Sequence, residues 1–394
     1  MTKQVKLLLF TLAFIQFTHI VDFVIMMPLG PQLMRVFKIS PAQFSIVVSA
    51  YTFSAGVSGI IAAFFIDRFD RKTALIFCYL GFIAGTFACS CANDYHILTM
   101  ARILTGFFGG ILGALILAII SDVIPFENRA SAMGIVMASF SVASVIGVPA
   151  GLYLASLHNW QFPFMVLGGF SIFVFLFIFS FVPSLKGHLN ASKLKVTDTV
   201  MGFFTNRNTA ISLLFMLFVM FGQFSIIPFI SPYMVSNVGF QEKDLFLIYL
   251  VGGAVTIFSS PIIGKLADKY GKSKVFAISA ALSAIPVFLI TNMSPMPLPL
   301  ILSVTAFFFV VMGGRMIPAS AIASSAAPPQ VRGSFMSINS SVQQFGSGIA
   351  AFVAGKIIVL SPSGQLENYP IVGYVAISAT VIAIFLSYQI VKKG

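Results

Sequence analysis

The chain has 394 residues, of which 58% are hydrophobic and only 9% are charged, and its mean hydropathy is +1.00. A soluble domain carries roughly 25% charged residues, so this composition excludes an ordinary soluble protein and indicates a helical membrane protein. The net charge of +12 does not predict a nucleic-acid partner, because the lysines and arginines lie in short loops between apolar runs.

Apolar runs long enough to cross a bilayer recur along almost the whole chain. They predict twelve transmembrane helices, at 7–33, 42–66, 73–92, 96–122, 130–156, 161–182, 208–235, 244–264, 274–292, 297–322, 333–359 and 369–391. We therefore expect an all-α, multi-pass membrane protein.

The first predicted span contains a carboxylate, Asp22, between apolar neighbours. A carboxylate at the centre of a bilayer costs about 2.5–3.5 kcal/mol on insertion scales. Such a residue usually faces a partner or a watery cavity and marks an ion or substrate path. His19 precedes Asp22 by three positions, so the two side chains share one helical face.

Two loops repeat along the chain. Residues 67–72 (Asp-Arg-Phe-Asp-Arg-Lys) join spans 2 and 3, and residues 268–272 (Asp-Lys-Tyr-Gly-Lys) join spans 8 and 9 at an offset of 201. The same offset aligns Asp22 with Gln223. The repeat predicts two pseudo-symmetric six-helix bundles with a site at their interface. The predicted division is a first bundle at 1–182, a cytoplasmic linker at 183–207 and a second bundle at 208–394.

Loop charges predict the orientation. If the N-terminus is inside, the cytoplasmic loops collect most of the lysines and arginines, and the outer loops collect only Arg35, Lys38, Lys243 and Lys356. This asymmetry follows the positive-inside rule and predicts that both termini are cytoplasmic.

The first loop resembles the signature of the major facilitator superfamily, and the resemblance covers essentially the full chain. The usual pattern is Gly-x-Leu-Ala-Asp-Arg-x-Gly-Arg-Lys, but this chain has Ala63 and Asp70 where the pattern has glycines. The second copy of the loop keeps both glycines, as Gly264 and Gly271.

Two further motifs carry the resemblance. Arg102 followed by Gly106 resembles the motif of span 4. Gly147-Val-Pro149-Ala-Gly151 resembles the span-5 motif associated with antiporters, in the form found in sugar-efflux-like and arabinose-efflux-like members of the drug:proton antiporter branch. The alternative to a functional motif is that these are ordinary glycines and prolines, which are common in membrane helices.

Asp22 and Arg102 reach similar depths, roughly 12 Å from the outer end of span 1 and roughly 9 Å into span 4. In the resembled family both spans line the cavity of the first bundle, so the two side chains are expected to be able to meet. Asp22 is then a candidate proton carrier coupled to Arg102, and His19 a candidate member of the relay. The alternatives are a permanent structural ion pair, and for His19 a hydrogen-bonding cavity residue or a packing contact.

The loop residues are candidates for a cytoplasmic gate. In the resembled family a charge cluster at these positions holds the outward-facing state together. Here its members are Asp67, Arg68, Arg71, Lys72, Asp122, Asp268 and Lys272. The alternative is that the basic residues only fix the topology.

Arg315 and Gln223 are the candidates in the second bundle. An arginine without an acidic neighbour in span 10 indicates a substrate with negative charge or strong acceptors if it faces the cavity, or an anchor of the span's cytoplasmic end if it does not. Gln223 is neutral, so no second proton site is predicted.

These features predict a secondary transporter that exports a small organic solute, such as a drug, sugar or metabolite, against proton entry. The alternatives are a proton-coupled or facilitative importer and, in another class, a non-transporting membrane sensor. We expect a monomer in the bacterial inner membrane, with a small-molecule substrate, protons and the lipid bilayer as partners, and no enzymatic activity, nucleic acid, metal or cofactor.

Overall fold

The computed structural model describes residues 3–125, 128–186, 196–328 and 331–390, and these are almost entirely helical. Eleven helical segments are long and apolar enough to cross a membrane. The helices are α1 (Lys3–Ile25), α2 (Gly30–Phe37), α3 (Pro41–Phe65), α4 (Arg71–Ser90), α5 (Tyr95–Val123), α6 (Arg129–Val142), α7 (Val148–Leu157), α8 (Phe162–Phe181), α9 (Val196–Thr205), α10 (Arg207–Phe224), α11 (Ile227–Ser236), α12 (Leu245–Tyr270), α13 (Lys272–Thr291), α14 (Leu298–Ser325), α15 (Arg332–Ile357) and α16 (Tyr369–Gln389). Two short antiparallel strands, β1 (Val359–Leu360) and β2 (Leu366–Glu367), join α15 to α16.

The span predicted at 333–359 corresponds to α15, which is not among the eleven. This helix is more polar than the others because serine, asparagine and glutamine side chains recur along it. Close packing with neighbouring helices accompanies this polarity, since Gly346 lies against the backbone of Leu217 on α10 and Gly348 lies against Thr52 on α3. That α15 crosses the membrane stays a prediction.

Two predicted spans are broken helices. Short breaks separate α1 from α2 and α10 from α11. A proline, Pro28 or Pro228, lies in or just after each break, where its missing N–H removes a helical hydrogen bond. The aligned residues Asp22 and Gln223 lie within the last turn before each break. The two breaks therefore occupy equivalent positions in the two parts of the chain, and α2 and α11, the helices that follow them, pack together, with Gly30 against Pro232.

The polar connection predicted at 183–207 contains a helix, α9, which the sequence pattern did not reveal. The start of the connection is hydrogen-bonded to the loop before α4. The N–H of Leu185 donates to Oδ1 of Asp70 at 2.6 Å, the N–H of Arg71 donates to the carbonyl of Leu185 at 3.3 Å, and Lys72 Nζ donates to the carbonyl of Phe179 at 2.9 Å. Asp70 therefore binds the connection at the position where the resembled signature has glycine.

The hydrogen bonds at Asp70 change its acidity. Partial burial alone would raise the pKa of this carboxyl, but donation from the Leu185 N–H and the Ser184 hydroxyl outweighs burial, and the pKa lies below its ordinary value. A carboxylate with a lowered pKa stabilises the folded state above its ordinary pKa and loses that contribution as the pH falls through the lowered value.

The two parts of the chain, 3–182 and 207–389, meet along much of α3 and α15, where Gly59 lies against Ser341 and Gly348 lies against Thr52. We call the side that carries the start of α1 the terminal side and the opposite side the far side. On the far side, both terminal nitrogens of Arg35 bind the carboxylate of Glu242, and the rings of Phe44 and Phe229 pack edge to face at 5.8 Å. Gly355 of α15 also lies directly against Ser45 of α3. The far side is therefore closed.

We predict that Asp70→Asn loosens the start of the connection. Losing a charged acceptor should lower the free energy of unfolding by about 1 kcal/mol at pH 7. Thermal unfolding in detergent should show a lower midpoint at pH 7, and the difference from the wild type should shrink as the pH falls from about 4 through the lowered pKa of Asp70.

Asp94→Asn is the matched control for Asp70→Asn. Asp94 accepts from the N–H groups of His96 and Ile97 at the start of α5, and asparagine caps helices about as well as aspartate. Its unfolding midpoint should stay at the wild-type value. Equal midpoints for Asp70→Asn and the wild type at pH 7 would show that the Leu185 contact does not hold the connection.

Candidate functional site

Asp22 and Arg102 are in contact, as their predicted depths allow. Arg102 Nη1 donates to Oδ2 of Asp22 at 2.7 Å and to the Asp22 carbonyl at 3.3 Å. Thr86 Oγ1 of α4 donates to the second carboxylate oxygen at 3.2 Å. Asp22 is 0% exposed and Arg102 is 1% exposed, so the pair is sealed from solvent on α1, α4 and α5.

A stripe of small residues on α5 positions Arg102. A Cβ on Gly106 would lie 2.8 Å from Cα of Tyr51, and a Cβ on Gly110 would lie 2.7 Å from Cα of Ala55. These glycines, four residues apart, let α5 and α3 touch backbone to backbone. Arg102 lies one turn before Gly106 on the same stripe, so its side chain is directed at α3.

Tyr51 of α3 was missed by sequence reasoning. The Cζ atom of Arg102 lies 4.3 Å from the centre of the Tyr51 ring, a cation–π contact. Phe23 stacks on Tyr51 with ring centres 5.1 Å apart, and Phe224 of α10 packs against Phe23 at 5.7 Å. One aromatic stack thus leads from the ion pair in the N-terminal part to the end of α10 in the C-terminal part. Within an apolar run a single tyrosine carried no sequence signal for this role.

His19 lies against α5, on the terminal side of Asp22. The residue as a whole is half-buried, but both ring nitrogens are buried and have no hydrogen-bond partner among the described residues. A Cβ on Gly109 would lie 2.9 Å from Nε2 of His19 and 2.6 Å from Oη of Tyr51, so both side chains lie against α5 there. One turn further toward the terminal side, Gly113 faces nothing within 4 Å. Asp22 itself has no such opening beside it.

The Gly147–Pro149–Gly151 motif packs against α1. A five-residue π-helical turn ends at Gly147, just before Pro149, which cannot donate a helical hydrogen bond. A side chain on Gly147 would collide with Val21, and one on Gly151 would collide with Ile25. The two glycines therefore let this helix lie against the turn of α1 that carries the carboxylate.

The candidate gate is partly assembled. Arg71 Nε donates to Oδ2 of Asp122 at 2.9 Å, and Arg71 Nη1 donates to the carbonyl of Ile66 at 3.2 Å. Arg71 is 5% exposed, so α4 and α5 are joined by a largely buried guanidinium. The side chain of Asp67 lies outside the described residues. Of the remaining candidate gate residues, Arg68 and Asp268 are exposed and Lys272 is half-buried.

Arg315 lies inside the packing of the C-terminal helices. It is 0% exposed, and its terminal nitrogens donate to the carbonyl of Val219 on α10 and to Oγ of Ser283 on α13, both at 3.3 Å. No carboxylate pairs with it among the described residues, and Nε has no partner there. The partners of its terminal nitrogens are thus a backbone carbonyl and a hydroxyl within the C-terminal helices.

Gln223, the counterpart of Asp22, lies at the end of α10. It is half-buried, and its amide oxygen is buried with no hydrogen-bond partner in the part of the chain that the structure describes. No group of three or more His, Cys, Asp or Glu side chains converges as a metal site within those same residues.

The sequence matches the family profile of the Major Facilitator Superfamily over residues 12–351 and 212–392. The chain belongs to the Major Facilitator Superfamily. Members of this family are multi-pass membrane transporters and not enzymes, so the chain is a transport protein.

Relatives agree with this assignment. The chain is 24% identical over 341 residues to the uncharacterized MFS-type transporter YceJ of Bacillus subtilis, a match that covers 85% of each chain. It is 23% identical over 255 residues to a probable sugar efflux transporter of Helicobacter pylori strain G27, covering 64% of each. It is 23% identical over 235 residues to the putative transporter AraJ of Escherichia coli, covering 59% of this chain and 58% of AraJ.

Solved structures share the fold at low identity. A bacterial homologue of the human lysosomal transporter Spinster, in an inward-facing and unoccupied conformation, superposes with a TM-score of 0.78 at 16% identity, covering 99% of this chain and 97% of that one. A D-xylose-proton symporter superposes with a TM-score of 0.77 at 15% identity, covering 96% of both chains.

We predict that Gly106→Ala separates α5 from α3 and destabilises the protein. The new methyl group meets the backbone of Tyr51, which cannot rotate away, and overpacking of this kind costs about 1–3 kcal/mol. Thermal unfolding in detergent should show the loss. Gly113→Ala is the matched control, because open space faces it on the same helix. If the two variants unfold at the same temperature, the glycine stripe does not set the spacing of the helices.

Proposed function

We propose that this chain is a secondary transporter that works by alternating access and exports a small organic solute in exchange for protons. The observation that carries the proposal is the sealed contact between Asp22 and Arg102 at mid-span. A buried carboxylate can bind and release a proton when water reaches it from one side and then from the other. The relatives named as sugar efflux transporters favour export of a small polar solute.

In the proposed cycle the ionised Asp22 is held by Arg102, and protonation cancels the ion pair. The free energy of a buried ion pair depends on both partners being charged, so one proton changes the packing preference of α1 and α5. His19 would then carry the proton toward the terminal side, because it lies about one turn closer to that side than Asp22 and its ring nitrogens have no other hydrogen-bond partner among the described residues. The competing interpretation, a permanent structural ion pair, requires that Asp22 never titrates.

We further propose that α15 is a twelfth span and that the spans form two bundles, 1–182 and 208–394, joined by the linker 183–207. Both termini would then be cytoplasmic, the far side would face outward, and the protein would act as a monomer in a bacterial inner membrane. Loop charges support this orientation, and α15 is supported by its length and its packing between α3 and α10.

The closed far side supports an assignment of this structure to the inward-facing half of the cycle. In that state the contact between Arg35 and Glu242 joins the two proposed bundles. The Arg71–Asp122 contact is also present in this structure and lies within the first proposed bundle, so it does not by itself favour the opposite state. The exposed contact between Arg35 and Glu242 biases the equilibrium toward the state with the far side closed.

We predict that Asp22→Asn still folds, with lower thermal stability because Arg102 loses its counter-charge, and abolishes proton-driven transport. The amide keeps the shape and a hydrogen-bond acceptor for Arg102 but cannot carry a proton. The assay is solute flux in proteoliposomes under an imposed pH gradient, with solute-driven proton movement recorded in parallel. Asp94→Asn makes the same chemical change at an exposed cap and should transport like the wild type. Retained proton coupling in Asp22→Asn would refute the carrier role, and flux of solute in the same direction as protons would indicate an importer.

We predict that Glu242→Gln opens the far side. An exposed ion pair contributes about 0.2–1 kcal/mol, so the population with the far side open should rise by roughly 1.5- to 5-fold. Spin labels at the exposed positions Val36 and Val359 would report longer distances. The exchanged pair, Arg35→Glu with Glu242→Arg, restores opposite charges and should return the wild-type distance distribution. Identical distributions in all three proteins would show that the contact does not lock the far side.

A further inference from the structure

Protonation of Asp22 creates a problem that the proposed function does not solve. Arg102 keeps its charge at every accessible pH, and it is 1% exposed. When the carboxylate becomes neutral, a guanidinium is left in a site that excludes water, at a cost of several kcal/mol unless another group stabilises it. The inference below rests on the proposed proton-carrier role of Asp22.

Few groups can replace the lost charge. The titratable side chains that face the pair are His19 on α1, Tyr51 on α3 and Cys89 on α4. Cys89 contacts Thr105 Oγ1 at 3.9 Å, and a thiol is only a weak, neutral hydrogen-bonding group. None of these groups carries a negative charge at neutral pH.

The Tyr51 ring is the group best placed for the task. Its centre lies 4.3 Å from Cζ of Arg102, within cation–π distance, and the residue is 0% exposed. Its hydroxyl is directed away toward Gly109, where it has no partner among the described residues. The ring face, and not the hydroxyl, therefore touches the guanidinium.

The backbone fixes this geometry. Gly106 holds the main chain of Tyr51 against α5, Gly109 accommodates the ring tip, and Phe23 covers part of the ring at 5.1 Å. The ring is preorganised, so no side chain has to move when the proton arrives. Cation–π attraction is strongest where both groups are desolvated, as they are here.

We propose that Tyr51 is a positioning residue that holds Arg102 in place while Asp22 is protonated. The negative face of the ring stabilises the guanidinium more in the protonated state, because in the ionised state the carboxylate already compensates its charge. Tyr51 thereby makes protonation of Asp22 easier and sets the pH at which the carrier loads. This role explains the spacing of Arg102 and Gly106, since the glycine lets the Tyr51 ring lie against the arginine.

The test measures the protonation of Asp22 directly. Infrared difference spectra of the purified protein, recorded against pH, contain the C=O band of each protonated carboxyl group, and the band missing in Asp22→Asn belongs to Asp22. Tyr51→Phe keeps the ring face and should titrate at the wild-type midpoint. Tyr51→Leu removes the face, and the midpoint should move about one pH unit lower.

A second variant with a fluorinated ring keeps the test decisive if Tyr51→Leu misfolds. A trifluorinated phenylalanine at position 51 keeps the shape of phenylalanine but weakens the negative ring face, so its midpoint should also fall below that of Tyr51→Phe. The proposal is overturned if the fluorinated protein titrates like Tyr51→Phe, or if Tyr51→Phe shifts as far as Tyr51→Leu. If no band belongs to Asp22 at any pH, the carrier role itself fails, and this inference fails with it. A band that titrates alike in every variant refutes the inference alone.

Discussion

A carboxylate and a guanidinium removed from water at mid-span impose the strongest constraint in this structure. Each ion loses several kcal/mol of hydration, which only close mutual contact and further hydrogen bonds can offset. Both carboxylate oxygens of Asp22 have donors, and Arg102 has the carboxylate, a carbonyl and an aromatic face. Bringing these groups together requires α5 to touch α3, and α1 to reach both. Satisfying this one ion pair therefore constrains how α1, α3 and α5 pack against each other.

Because of the same constraint, a change in the charge of the pair would affect how the neighbouring helices pack. In the proposed cycle, a single proton on Asp22 would change which arrangement of α1 and α5 is preferred. The carboxylate lies within a turn of the break in α1, and the stack of Tyr51, Phe23 and Phe224 ends at the matching break in α10. Movement at the pair would then reach the C-terminal part through ring contacts that are already present.

Depth along a helix can be counted from sequence, but rotation about its axis is harder to infer. Counting residues at 1.5 Å each predicted that Asp22 and Arg102 could meet, and they do. The same counting could not decide whether Arg315 faces a cavity or the interior of its own helices, because span 10 is apolar on all faces and has no distinct polar side. Tyr51 escaped prediction for a similar reason. In a chain with 44 phenylalanines, one more aromatic residue has no distinguishing pattern.

Departures from the family pattern proved more informative than matches. A glycine at position 70 would permit a tight turn, whereas Asp70 supplies a carboxylate that binds the start of the connection at Leu185. The neighbouring Arg71 joins α4 to α5 through Asp122. Adjacent residues thus tie the same loop to the connection and to the end of α5. If α5 moves when the buried pair is protonated, that movement would therefore be transmitted to the connection, which links the two parts of the chain.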